Sequence, residues 1–226
     1  MVDQHLIDIM KKLQAESKQR KFLESVELAV NLKDIDLTNP KNRLQEEIML
    51  PNGRGKPIRV GVFASSEMAV KAKGVADVVV QPQDIEDLAS DKHKARKFAR
   101  EADFFLAEAP LMPTIGKRLG VVLAPRGKMP KPIPPGSDPK SQIDKLKGSV
   151  PVRTRDRKTF HVPIGTKNMT PEKLAENLDA VLKRLLSKLE RGKNNIQSAY
   201  VKTTMGPSIK VMCDGARSIL EEGGRR

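Results

Sequence analysis

The chain of 226 residues has little of what most catalytic sites are made from. It has one cysteine, Cys213, which cannot form an internal disulfide and has no C-x-x-C partner. A reduced, cytoplasmic protein is the expectation. Its three histidines, His5, His93 and His161, lie far apart, and none stands at a metal-ligand spacing. There is no tryptophan, one tyrosine and six phenylalanines. Proteins that read splayed single strands stack bases on aromatic side chains, and this chain has few to offer. It also lacks an apolar run near the roughly 20 residues that span a bilayer. Met1 to Leu13 mixes charges into an amphipathic pattern without a secretory signal core. No membrane partner is expected. Phosphate-loop glycines are missing too. Asn52-Gly53-Arg54-Gly55-Lys56 departs from G-x-x-x-x-G-K-[ST], and Ala64-Ser65-Ser66 follows an apolar strand where G-x-G-x-x-G would stand. Neither catalysis nor a cofactor is indicated.

Acidic residues are scarce relative to basic ones. The chain carries 42 Lys and Arg against 28 Asp and Glu, a formal charge of +14. Such an excess repels itself in a compact fold, so a large polyanion is the natural partner. Residues 116–160 hold twelve Lys/Arg against three Asp, net +9, in a fifth of the length. A lone charge run is usually a solvated face. This one runs through a proline-stiffened segment into a basic strand, which favours contact with nucleic acid. With few aromatics, the better target is folded RNA gripped through phosphate and sugar.

The apolar pattern changes along the chain. Leu6, Met10 and Leu13 place an amphipathic helix over residues 3–20. Val26, Leu28, Val30 and Leu32 alternate as a half-buried strand, and 44–50 is a second strand. From Ile58 the pattern is α/β, with short strands at 58–63, 77–80, 104–107 and 119–123 between helical segments. Residues 124–140 contain six prolines and two glycines and are expected to form a fixed loop holding Arg126, Lys128 and Lys131 outward. A basic strand over 153–162 and an amphipathic helix after Thr170-Pro171 follow, with strands at 196–202 and 209–212. The strand-rich ends then share one domain, and the parallel α/β middle is an insert. The boundaries are 1–65 and 151–226 for the first domain and 66–150 for the second. The segment Thr203 to Ser208 joins the last two strands. It is either an ordinary hairpin turn or a loop where Gly206 lets a partner's backbone come close.

Several strings resemble the ribosomal protein L-one family, whose members build the mobile stalk of the large ribosomal subunit. They are TMGPS with IKV (204–211), LAPRGKMPKP (123–132), LPNGRGK (50–56), IRVGVFA (58–64) and Lys21-Phe22 before Ser25-Val26-Glu27-Leu28. Arg153, His161 and Ile164-Gly165 fit as well. The strings occur in order along nearly the whole chain, and residues 39–43 resemble the archaeal branch. The resemblance implies a mixed α/β fold: an α+β domain one from both chain ends and an inserted Rossmann-like domain two on a two-strand hinge. It implies a non-enzymatic part of the cytoplasmic ribosome, among other components of the large subunit. Its partners would be large-subunit ribosomal RNA and exit-site tRNA, whose movement or release it would assist. It would also repress translation by binding its own mRNA. The RNA contacts carry over to Phe22, Ser25, Glu27, Arg153, His161, Thr204, Met205, Gly206 and Pro207. The family often has threonine where this chain has Ser25, which keeps the hydroxyl. Lys158, in the basic run, joins them as an expected phosphate contact. Two rivals differ in kind. One is an RNA-binding regulator that never joins ribosomes, separable by co-sedimentation with large subunits. The other is a nucleotide-dependent enzyme using the α/β middle, separable by a nucleotide titration.

Overall fold

The structure is a computed structural model that describes residues 3–39, 42–134, 137–154 and 157–211. Its elements in chain order are α1 (Gln4–Glu16), β1 (Ser25–Leu32), β2 (Gln45–Met49), β3 (Val60–Phe63), α2 (Ser66–Ala72) and β4 (Val78–Val80). Then come α3 (Pro82–Ser90), α4 (Lys92–Glu101), β5 (Phe104–Glu108), α5 (Met112–Leu123), β6 (Lys131–Ile133) and α6 (Pro139–Lys147). The last are β7 (Ser149–Arg153), β8 (Thr159–Thr166), α7 (Pro171–Lys188), β9 (Ile196–Thr203) and β10 (Ser208–Val211).

The chain divides into two compact units. Unit 1 is built from the described parts of Met1–Lys56 and Gly148–Arg226, and unit 2 is Pro57–Lys147. These limits differ from the 65/66 and 150/151 expected. β3 is hydrogen-bonded inside the parallel sheet, and β7 is paired with β2, so each strand goes with its sheet.

In unit 1 a four-stranded antiparallel sheet has the order β10-β9-β1-β8. β1 alternates strictly between buried and half-buried residues, as a strand with one covered face must. Val26, Leu28, Val30 and Leu32 form one core with Leu6, Ile9, Met10 and Leu13 of α1 and with Leu174, Leu178, Val181 and Leu185 of α7. α1 and α7 therefore cover one face of the sheet. Asn177 of α7 is fully buried, and its amide donates to the carbonyls of Gly53 (2.9 Å) and Ile164 (2.8 Å). That ties the Pro51–Gly53 turn to the sheet. Gly165 is a packing glycine: a Cβ there would come within 2.5 Å of Leu174 and 2.8 Å of Met169.

In unit 2 a parallel sheet has the order β4-β3-β5-β6. Phe63, Phe98 and Phe105 pack with Ile85, Ile115 and Leu119 under α3, α4 and α5. Val60, Val62, Leu106 and Ile133 pack under α2 and α6 on the other face. A parallel sheet buried on both faces explains the short continuous apolar runs.

Four sequence expectations need correction. Residues 119–123 are the last turns of α5, not a strand. Ile115, Leu119 and Leu123, spaced by four, make a buried helical stripe that outweighs Gly116 and Gly120. Segment 124–140 is not all loop. It contains β6, an edge strand where Pro132 is tolerated, and the start of α6. The strand expected over 153–162 is two strands with different partners. β7 ends where Arg153 opposes Gln45, whereas β8 begins where Thr159 opposes Asn31. The first helix stops at Glu16, short of 20, because Ser17 turns its hydroxyl to Glu24. Arg155, Cys213 and the tail Glu221 to Arg226 lie outside the described residues. No helix among the described residues is long and apolar enough to cross a membrane.

Candidate nucleic-acid interface

The face of the unit 1 sheet opposite α1 and α7 carries short polar and basic side chains, half-buried or exposed. The ladder registers set them in rows. Ser208, Lys202, Glu27 and Pro163 form one row, and Lys210, Tyr200, Ala29 and His161 the next. Ser198, Asn31 and Thr159 form a third, joined by hydrogen bonds of 2.8 Å from Asn31 to Ser198 and from Thr159 to Asn31. Glu27 and His161, far apart in sequence, thus share one face with Lys202 and Tyr200. Ser25 ends the same side of β1, and the Thr204–Pro207 loop stands next to it.

That loop is tied down at several points. The Thr204 N–H donates to the Ser25 carbonyl at 3.0 Å. The Thr204 hydroxyl accepts from the Ser25 N–H (3.0 Å) and lies 3.3 Å from the Ser25 carbonyl, to which it donates. The proton of this hydroxyl is thus engaged within the protein. Lys56 donates to the Ser25 hydroxyl at 2.8 Å, which sets an ammonium beside the loop. Gly206 has an internal reason to be glycine. A Cβ there would collide with Oγ1 of Thr203, a fully buried hydroxyl without a hydrogen-bond partner among the described residues.

Beneath the loop lies Glu24, 2% exposed. Its carboxylate accepts from the Ser17 hydroxyl (3.0 Å) and the Met205 N–H (3.1 Å), with Arg20 Nε at 3.4 Å. Burial pushes its pKa up. The Ser17 and Met205 hydrogen bonds and the charges of Arg20 and Lys167 outweigh this, and the carboxyl sits below the ordinary range. Around the network three apolar side chains face water: Phe22, Leu23 and Met205, at 49%, 40% and 60% exposure. The sequence reading names Phe22 and Met205 but not Glu24, Arg20, Lys56 and Leu23, which the structure gathers around them. Only the adjacency of Leu23 and Glu24 to Phe22, and Lys56 at the end of LPNGRGK, signalled them.

Other expected residues lie elsewhere. Lys158 is at the far end of β1, where its carbonyl accepts from the Leu32 N–H at 2.9 Å. Eight residues of strand put it roughly 23 Å from the loop. It lines a shallow depression with Asp34, Asp36 and Arg43. Arg153 is exposed at the end of β7, on the separate two-stranded sheet.

In unit 2, Arg126 and Lys131 are exposed, as the basic loop required. Lys128 is a correction. It turns inward and donates to the carbonyls of Ala99 (3.0 Å) and Ala102 (2.7 Å), capping the end of α4. Burial pulls its ammonium below the ordinary lysine range, Asp103 opposes this and Arg126 adds to it. The crevice where a nucleotide phosphate would meet α2 is taken by an acid. Glu108, 7% exposed, accepts from the Ser65 N–H (3.2 Å) and hydroxyl (2.8 Å). A phosphate there would face a carboxylate. Among the described residues no group of three or more His, Cys, Asp or Glu is placed to hold a metal.

The sequence model of the Ribosomal protein L1p/L10e family matches residues 13–207. The large ribosomal subunit protein uL1 of Methanocella arvoryzae is 55% identical over 213 residues, which cover 94% of this chain and all of that relative. The protein of the same name from Thermoplasma volcanium is 56% identical over 207 residues, 90% of this chain and 95% of the relative. That of Archaeoglobus fulgidus is 53% identical over 196 residues, 86% and 91% of the two. These relatives are archaeal, as residues 39–43 implied, and bear the names of ribosomal proteins, not enzymes. A match over most of the sequence and identity above one half along it make this chain a member of the ribosomal protein L1p/L10e family.

Proposed function

We propose that this protein is a component of the large ribosomal subunit and binds its ribosomal RNA through the uncovered sheet face and the Thr204–Pro207 loop of unit 1. The observation that carries the reading is the gathering of distant residues on one face. Ser25, Glu27, His161, Tyr200 and Lys202 stand in adjacent ladder rows, with the loop and Lys56 beside Ser25. The chemistry suits a folded RNA. Cations meet phosphates, short polar groups meet sugar edges, and Phe22 and Met205 pack against the nucleotide surface. The Thr204 hydroxyl shapes the loop, while the loop's exposed atoms make the contacts. Arg126 and Lys131 give unit 2 a basic surface of its own.

The finer reading follows from the family resemblance. The same site takes a stalk-like fold in the protein's own mRNA and so represses translation, and the bound protein assists exit-site tRNA. One site cannot hold two RNAs, so a transcript of the mRNA leader should compete with large-subunit ribosomal RNA. The test is filter binding with four probes: large-subunit RNA, small-subunit RNA, the mRNA leader and DNA of the large-subunit sequence. The first and third should bind tightly and exclude each other. Equal affinity for all four would reduce the protein to a general polyanion binder.

A further inference from the structure

A carboxylate beside a polyanion site needs a reason. Glu24 is an acid placed directly under the loop that takes RNA, where its charge opposes phosphate binding. It is 2% exposed, so it cannot reach a ligand. Its role must lie in what it holds. One oxygen accepts from the Ser17 hydroxyl at the end of α1, and the other accepts from the Met205 N–H. Arg20 completes the arrangement from the other side. Its Nε lies 3.4 Å from the same carboxylate, and its Nη2 donates to the Met205 carbonyl at 3.2 Å. Both backbone polar groups of Met205, its N–H and its carbonyl, are therefore held by side chains from residues 20–24. Phe22 and Leu23 stand within that same stretch. Two exposed apolar lips, one from each chain end, are fixed to each other through Glu24 and Arg20. Lys167 secures the turn from below: its ammonium donates to the carbonyls of Ser17 (2.9 Å) and Lys18 (3.0 Å), and its N–H to the Glu24 carbonyl (3.0 Å).

We propose that Glu24 is a positioning residue of the RNA site: with Arg20 it presets the Thr204–Pro207 loop against Phe22 and Leu23, so that RNA meets a formed surface. The proposal rests on the RNA-binding reading above. A preset loop raises affinity because its ordering cost is met on folding and not on binding. Glu24 acts through Met205 and makes no phosphate contact. Its loss should then lower affinity without changing the salt dependence.

The test uses the full chain and a transcript of large-subunit ribosomal RNA. Affinity is measured across a salt series, and exchange of the Met205 amide is followed in the free protein. Glu24→Ala should speed Met205 exchange and weaken binding at least about fivefold, with the wild-type salt slope. Glu24→Gln, whose amide oxygen still accepts from the Met205 N–H, should recover part of the loss. A folded Glu24→Ala protein with a fast-exchanging Met205 amide and wild-type affinity would overturn the proposal. So would a loss that vanishes at high salt, which marks a missing phosphate contact. If Glu24→Ala does not fold, Arg20→Gln carries the test. It frees the Met205 carbonyl from a partly exposed position and should weaken binding, and wild-type affinity in that folded variant overturns the assignment equally. Failure of the functional reading looks different: the wild-type protein itself would bind the RNA no better than DNA, and both ideas would fall together.

Discussion

Gly206→Ala separates two reasons for a glycine in the loop. The added Cβ would run into Oγ1 of Thr203. Thr203 is fully buried, so it has little room to give. Overpacking of this kind costs roughly 1–3 kcal/mol. Thr203→Ala removes the obstacle. On its own it deletes a hydroxyl that has no partner among the described residues, a relief of about 1–3 kcal/mol. It also deletes a buried methyl, a loss of about 0.8 kcal/mol. Thr203→Ala should therefore be close to neutral or mildly stabilising. The double variant should be more stable than the single effects add up to, with a coupling of about 1–2 kcal/mol. The assay is urea unfolding followed by tyrosine fluorescence. Tyr200 is the one tyrosine of a chain without tryptophan and sits on β9, so the signal reports unit 1 alone. RNA affinity is measured beside it. If Gly206 is needed only for internal packing, the double variant regains both stability and affinity. If RNA also approaches at Gly206, it regains stability and stays weak in binding. A Gly206→Ala protein as stable as wild type would refute the steric reasoning.

Further outcomes follow from the same geometry. Lys128→Met should destabilise unit 2 by roughly 1–2 kcal/mol, because two carbonyls lose a charged donor, yet leave the salt slope of RNA binding unchanged. Stability of unit 1 should fall in acid. Glu24, and Glu46 held by Lys188 and Arg184, have carboxyls below their ordinary value of 4.5 in the folded state, so the unfolded chain takes up protons first. Their contribution is complete above that value and is lost as pH falls through the lowered ones. Urea unfolding of Glu46→Gln against wild type should show a flatter acid limb. If the complex makes about six phosphate contacts, RNA affinity should fall with salt at a log–log slope of about −4 to −6, and a slope shallower than about −2 would remove the electrostatic argument.

Much of the architecture is legible in the sequence because burial leaves periodic marks. The alternation in 26–32 and the three- and four-residue spacing of Leu174, Leu178, Val181 and Leu185 in α7 are direct images of a covered sheet face and a covered helix stripe. The insert shows in the same way, since a sheet buried on both sides yields continuous apolar runs. What misled was local chemistry overruled by pairing. Val121 and Val122 look like strand residues, yet a stripe at 115, 119 and 123 makes them helical. Pro132 looks like a strand breaker, yet an edge strand tolerates it. The site was half legible. Charge and the unusual Thr204–Pro207 string draw attention to the loop that the structure sets beside Ser25. The support beneath it depends on a contact between residue 24 and residue 205, which no local pattern encodes. Lys128 shows the converse: charge in a basic run says nothing of direction, and this side chain points inward.

The central claim is that the uncovered sheet face and loop of unit 1 hold the RNA. Residue-level chemical footprinting on the complex with large-subunit ribosomal RNA tests it most directly. Lysine acetylation and methionine oxidation are compared in the free and bound protein. Lys56, Lys202 and Met205 should be protected on binding, and the exposed Lys117 on α5 of unit 2 should change less. Unchanged reactivity at Lys56, Lys202 and Met205 in a saturated complex, with protection confined to lysines of Pro57–Lys147, would contradict the account.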